Sequence, residues 1–460
     1  MEPGSLRQIT LTLLVSIMAL ASGMSTGWLT SMTSKLLSFD SPVGRTTKKD
    51  LSQLTVLPLY VGFFVSFIYG FIAKKFGRKD ALICVGIPSI VSGFILTFAR
   101  SKVLLYVGRG FAGCTMVGGA IASFMYISET VSDSVRGTLM ATLVFQMKAG
   151  ILLSYVLGDN LSYEAFNFIA IAISVIPTIL ILWLPESPHF LVNNGRIKDA
   201  MSTLLWLKGG DIKAAKSKLE SIKPDRTVEQ NISFFQILKY TGSRAALVVS
   251  LLAGILQATS GVYVGLNYAE ITFKDASSPV NSGNSTIVIA ILILVSTLLG
   301  VFLIDTAGRK TLLYISFVGG CVSLAAISSF LYLKKGRNVE NCEWIPITSV
   351  TTFLICNTVG LAMVPGVLAN ELPAPNVKPA VCSVISATVS AIAIAIQQSL
   401  PIFEDNGYMY LMFAVSSGFN FLGIFYTWFM VPETAGMSLT TIGRELRGER
   451  VLTLSAGERL

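Results

Sequence analysis

Stretches of about twenty apolar residues, each almost free of charge, recur along the whole 460-residue chain, and very few folds accommodate them. A helix crossing the roughly 30 Å hydrocarbon layer needs about that many residues. No water is available there, so every backbone N–H and C=O must be satisfied within the segment. Spans are read near residues 9–31, 54–73, 81–99, 103–127, 138–158 and 163–184, then near 245–271, 286–304, 311–333, 346–370, 381–402 and 408–431. A soluble chain carries about a quarter charged residues; this one has 13%. One very large soluble core is excluded too, because such cores stop growing at about 250–300 residues. The chain is expected to be an all-α membrane protein with the lipid bilayer as its first partner.

The basic residues orient it. Lys74, Lys75, Arg78 and Lys79 follow the second span, Arg309 and Lys310 the eighth, and the central polar stretch is rich in lysine. An excess of Lys and Arg marks cytoplasmic loops, which places both termini inside, in the cell membrane. The net charge of +9 is thereby explained without nucleic acid. Ala200, Leu204 and Leu207 at helical spacing among the lysines predict short amphipathic helices on that face.

The chain repeats itself. Gly77-Arg78-Lys79 returns as Gly308-Arg309-Lys310, Glu129 with Arg136 returns as Glu371 with Lys378, and Pro185-Glu186-Ser187 returns as Pro432-Glu433-Thr434. All three offsets are about 230–250 positions, in order, which marks an internal duplication. The expected organisation is a six-helix half over 1–184, a cytoplasmic linker over 185–244, a second six-helix half over 245–431 and a tail over 432–460. Many secondary transporters are two such halves around a site at mid-membrane.

These motifs, with Arg109, Arg136-Gly137, Pro188, Phe190-Leu191, Gln257, Ser260-Gly261 and Asp305, resemble the sugar-porter branch of the major facilitator superfamily, which includes glucose facilitators and insect facilitated trehalose transporters. The resemblance implies the major facilitator fold, with twelve helices in two pseudo-symmetric halves, and facilitated sugar transport by alternating access. It also implies a cytoplasmic gate of Arg78, Glu129, Arg136, Glu186, Arg309, Glu371, Lys378 and Glu433, whose ion pairs form and break as the halves rock.

The sugar-contacting pattern is mostly absent. By count, Val144, Ala258, Tyr263, Ile293, Gly366, Val389 and Ser390 stand where that branch has polar or aromatic groups. A site rebuilt from Gln146, Gln257, Ser260, Tyr263, Asn267, Tyr268 and Thr388 is the expectation, with a small-molecule sugar as substrate. A non-sugar solute, proton coupling and a non-transporting sugar sensor stay open as alternatives. No acid occurs between Ile9 and Leu29, which favours passive facilitation; Glu270 is the remaining titratable candidate. Arg109 and Lys148 are intramembrane charges, each functional or paired by default. Asn284-Ser285-Thr286 is a glycosylation sequon in an outward loop.

With one histidine, His189, and no CxxC spacing, neither a metal site nor an enzyme is expected. No GxxxxGK[ST] motif, cofactor signature or obligate protein partner is evident.

Overall fold

The computed structural model describes residues 4–39, 41–44, 46–222, 241–266, 268, 282–334 and 344–446. Twelve helices among them are long and apolar enough to cross a membrane, and the chain is a multi-pass membrane protein. The first six are α1 (Ser5–Leu37), α2 (Lys48–Lys75), α3 (Arg78–Thr97), α4 (Lys102–Thr130), α5 (Arg136–Asn160) and α6 (Tyr163–Ile181). Short helices α7 (Pro188–Asn193), α8 (Ile197–Leu207) and α9 (Ile212–Ile222) follow. The second set is α10 (Thr241–Thr259), α11 (Ser282–Leu303), α12 (Arg309–Lys334), α13 (Trp344–Val359) with α14 (Val364–Glu371), α15 (Lys378–Asp405) and α16 (Met409–Phe429). A last helix, α17 (Leu439–Leu446), lies beside α10.

The two sets pack alike. In the first, α1 packs on α5, α4 on both α2 and α3, and α3 on α6. In the second, α10 packs on α15, α13 on both α11 and α12, and α12 on α16. The halves meet along two seams, α2 with α15 and α5 with α11. The tenth span departs from a single helix: it breaks at residues 360–363, and the amide of Gln257 grips the break by donating to Leu361 O at 2.8 Å.

Small residues let α1 and α5 touch. Gly23 lies against the Met147 backbone, Gly150 against Leu20, and Gly27 against Ser154. Any side chain at these glycines would collide, so the seam needs them.

The short helices form a cap with its own core of Leu191, Ala200, Leu204, Ala215 and Leu219. The cap is docked on the first half. Gln8 Nε2 donates to Leu207 O at 3.2 Å and Lys208 Nζ to Ser132 Oγ at 3.0 Å. Both ends of the described chain therefore lie at the bundle end that carries the cap.

Candidate functional site

The repeated motifs converge at that end of the bundle. Gly77 and Gly308 precede α3 and α12 with φ of +129° and +87°. A Cβ at either would strike the carboxylate of Glu186 or Glu433. The glycines thus let each carboxylate sit on a helix N-terminus, where free N–H groups and the helix dipole favour an anion. Glu186 accepts from Arg78 N at 3.1 Å and Lys79 N at 3.2 Å; Glu433 accepts from Arg309 N at 3.0 Å and Lys310 N at 3.1 Å. Burial raises the Glu186 carboxyl above its ordinary range, against these N–H bonds, which act to lower it.

Glu129 and Glu371 are the centres of two matching clusters. Arg78 Nη2 donates to Glu129 Oε1 at 3.0 Å, and Arg309 Nη2 to Glu371 Oε1 at 3.2 Å. Ser187 Oγ donates to Glu129 Oε2, and Thr434 Oγ1 does the same to Glu371 Oε2 at 2.6 Å. Each acid also meets a cation from the opposite half. Arg136 Nε donates to Glu371 at 2.9 Å, and Lys378 Nζ stands 3.8 Å from Glu129 while donating to Ser128 Oγ at 3.0 Å.

Further bonds cross between the halves. Arg78 Nη2 reaches Pro375 O at 3.0 Å, Arg136 Nη2 reaches Met437 O at 2.9 Å, and Asp305 Oδ2 accepts from Thr138 N at 2.6 Å. Arg136, Arg309, Lys378 and Glu371 are completely buried. Charges at that depth persist only when paired and hydrogen-bonded. Here Arg78, Arg136, Arg309 and Lys378 face Glu129, Glu371, Asp133 and Asp305, and Lys218 shares Asp133. His189 is buried beside Glu129, and burial depresses it to about 3.

Of the eight predicted gate residues, six join this junction directly. Glu186 and Glu433 do not cross between halves; they cap helices of their own half, a correction to the expectation. Asp305, Thr138, Ser128 and Asp133 are participants that the expected gate omitted. Their signal was weak, since none belongs to a repeated motif and only Asp305 belongs to the family resemblance.

The predicted substrate residues do not converge. Ser260 is fully buried, donating to Gln257 O at 2.8 Å and accepting from Asn357 Nδ2 at 3.2 Å, so it braces helices. Thr388 donates to Val384 O at 2.8 Å within its own helix. Tyr268 packs its ring edge on Phe413 with centroids 5.2 Å apart. Tyr263 and Gln257 are half-buried. Gln146 shares the α5 face of Leu153 and Leu157, which pack against a cluster made only of first-half residues, and so points toward its own half. Asn267 and Glu270 lie outside the described residues; Asn284 falls in the first turn of α11.

Arg109 is almost fully buried, yet has no carboxylate partner among the described residues. It donates to Ser25 O at 2.8 Å and stacks 5.5 Å from the Trp28 ring, whose Nε1 donates to Asn167 Oδ1 at 2.8 Å. This supports the packing role over a ligand role. Among the described residues no cluster of metal-ligating side chains occurs.

Comparison with known proteins follows the same lines. The model of the sugar (and other) transporter family matches residues 11–446. The facilitated trehalose transporter Tret1 of Drosophila willistoni is 30% identical over 83% of this chain and 44% of its own length. Its Polypedilum vanderplanki counterpart is 29% identical over 83% of this chain and 76% of its own. The chain thus spans under half the length of the first curated relatives it matches.

Among solved structures, the proton:xylose symporter XylE bound to 6-bromo-6-deoxy-D-glucose superposes with a TM-score of 0.82 at 18% identity, over 96% of this chain and 100% of that one. The inward open XylE of E. coli gives 0.67 at 18% identity over 95% and 99%. The fold is the major facilitator fold, and the chain belongs to the sugar (and other) transporter family.

Proposed function

We propose that the protein is a facilitative sugar transporter of the trehalose or hexose class, working by alternating access without covalent chemistry or a cofactor. One observation carries the reading. Buried ion pairs bind the halves at the cap end, and packing between the halves elsewhere runs along the lateral seams. A carrier needs two discrete arrangements separated by only a few kcal/mol. A set of paired charges that water can solvate when the halves part supplies that switch.

In this reading the cap end faces the cytoplasm of the cell, and residues 1–184 and 245–431 are the rocking halves joined by 185–244, with 432–460 as a tail. Arg136 with Glu371, and Lys378 with Glu129, hold the inner gate shut. Arg78 and Arg309 keep the two glutamates oriented, while Glu186 and Glu433 pin the helix ends. Gln257 and Tyr263 are the substrate contacts most strongly favoured by their partial exposure. The family match and the trehalose carriers among its relatives support a sugar.

The test is uptake of labelled trehalose, glucose and a polyol by proteoliposomes, with and without a pH gradient. Saturable uptake indifferent to the gradient is expected. Uptake that requires an inward proton gradient overturns facilitation, and saturable binding without uptake overturns transport.

A further inference from the structure

The middle of α5 carries a lysine that no described residue neutralises. Lys148 lies about 18 Å along the helix from Arg136 at 1.5 Å per residue, and equally far from the other end. Its four-carbon stem falls short of either interface, so it cannot snorkel out. The side chain is half-buried and bonds to no described residue. Among the described residues every Asp and Glu of a span lies in its first or last turns, so no acid stands at this depth.

The neighbours of α5 fix where Lys148 points. Met147, Gly150 and Ser154 abut α1. Leu153 and Leu157 pack against a cluster made only of first-half residues, chiefly of α1. Thr138, half a turn from Met147 on the helical wheel, bonds Asp305 just beyond α11. At 100° per residue, Lys148 falls in the fourth quadrant, on the face of Ala141 and Val144, which are buried in the core that both halves share.

The same accounting applies to α1. Gly23 and Gly27 meet α5, Trp28 meets α6, and Ser25 meets Arg109 of α4. Thr26 and Thr30 are left exposed on the remaining face. The two helices pack along their length, so these faces adjoin, on the side of the central cavity that the transport reading requires.

We infer that Lys148 is the anion-recognition group of this central cavity, and that the solute carried there bears a carboxylate on a sugar or polyol frame. The inference rests on the transport reading and narrows its substrate class. An unpaired ammonium at mid-membrane is costly unless it meets water or an anion. The surrounding polar groups compete poorly for a neutral sugar: Gln146 faces its own half, Ser260 is buried, and one amide N–H of Gln257 is taken by Leu361 O. A single ammonium balances a single charge. A carboxylate therefore fits, whereas a phosphate dianion leaves an excess.

The test uses the full chain in proteoliposomes, with labelled glucuronate and glucose as paired probes and glucose 6-phosphate as a competitor. In the wild type, glucuronate is expected to compete at least tenfold better than glucose, and its entry to drive the lumen negative. Lys148→Gln should reduce glucuronate uptake about ten- to a hundredfold more than glucose uptake, in keeping with the loss of a charge-assisted bond. Lys148→Arg should keep the preference. Glucose uptake with no advantage for glucuronate overturns the inference and leaves transport standing. Equal losses for both solutes in Lys148→Gln also overturn it, since they mark a structural role. Preference for glucose 6-phosphate over glucuronate overturns the carboxylate. If no solute enters, the transport reading fails, and thermal stabilisation of the solubilised protein by glucuronate decides. Stabilisation lost in Lys148→Gln sustains the inference, and none in the wild type overturns it.

Discussion

Replacing Glu371 by Gln removes one charge while keeping nearly the same shape, and the two clusters predict unequal results for their two acids. Glu371 is completely buried and accepts from Arg136, Arg309 and Thr434 at 2.9, 3.2 and 2.6 Å. Without its charge, Arg136 and Arg309 are left with Asp133, which Lys218 shares, and Asp305, so one positive charge of the junction is unbalanced. Breaking a buried pair from one side costs about 3–5 kcal/mol. In the arrangement open at the cap end, water solvates the same groups and little is lost. About 3 kcal/mol of the difference therefore falls on the closed arrangement, or two powers of ten in the closed-to-open ratio.

Glu129→Gln should shift that ratio by about one power of ten at most, because its cross-half partner Lys378 stands at 3.8 Å and keeps its bond to Ser128. Spin labels at Lys75 and Thr306, exposed at the cap end of opposite halves, report the opening as a lengthened distance by pulsed electron resonance in a cysteine-free background. A distance distribution for Glu371→Gln that matches the wild type, in protein of unchanged helicity, would refute the reasoning.

Two further outcomes follow from the same end of the molecule. Gly308→Ala should lower the unfolding free energy by about 2–4 kcal/mol, summing a left-handed backbone and a displaced cap. Gly407→Ala, at φ +68° with no atom near a Cβ, should lose only the backbone part, about 1–2 kcal/mol, and equal losses in thermal unfolding would remove the cap from the account. His189, depressed to about 3 by burial, favours the folded state fully above its ordinary value near 6.5 and progressively less as the pH falls toward 3. At pH 5 the loss is about 2 kcal/mol, so His189→Gln should flatten the pH dependence of thermal stability between pH 7 and 5.

Hydropathy alone located all the spans, because the cost of an unpaired backbone group in lipid leaves one regular solution. The duplicated motifs marked the charged junction for the same reason: each copy obeys the same local geometry. Partner choice was not legible. Each half offers two glutamates near one arginine, and only the glycine φ reveals that Glu186 and Glu433 turn to backbone N–H groups. The break in the tenth span is legible after the fact, because Gly360 and Pro365 flank it and proline cannot donate to Leu361 O, which Gln257 takes instead. Gln146 and Lys148 lie two residues apart, and sequence spacing tells that they face differently but not which one turns inward. That depends on the positions of α1, α6 and α11, which are tertiary facts.

The cap does more than tether two halves. Lys218 Nζ of α9 holds Asp133 Oδ2 at 2.9 Å, and the other oxygen of that carboxylate holds Arg136 at 2.7 Å. A charge added to or removed from α9 is thus one side chain away from the strongest bond between the halves. Acylating Lys218 would free Asp133 to draw Arg136 harder within its own half, which loosens the bond to Glu371 and favours parting at the cap end. The cap helices are thus placed to set, from the surface of the molecule, how readily the halves part.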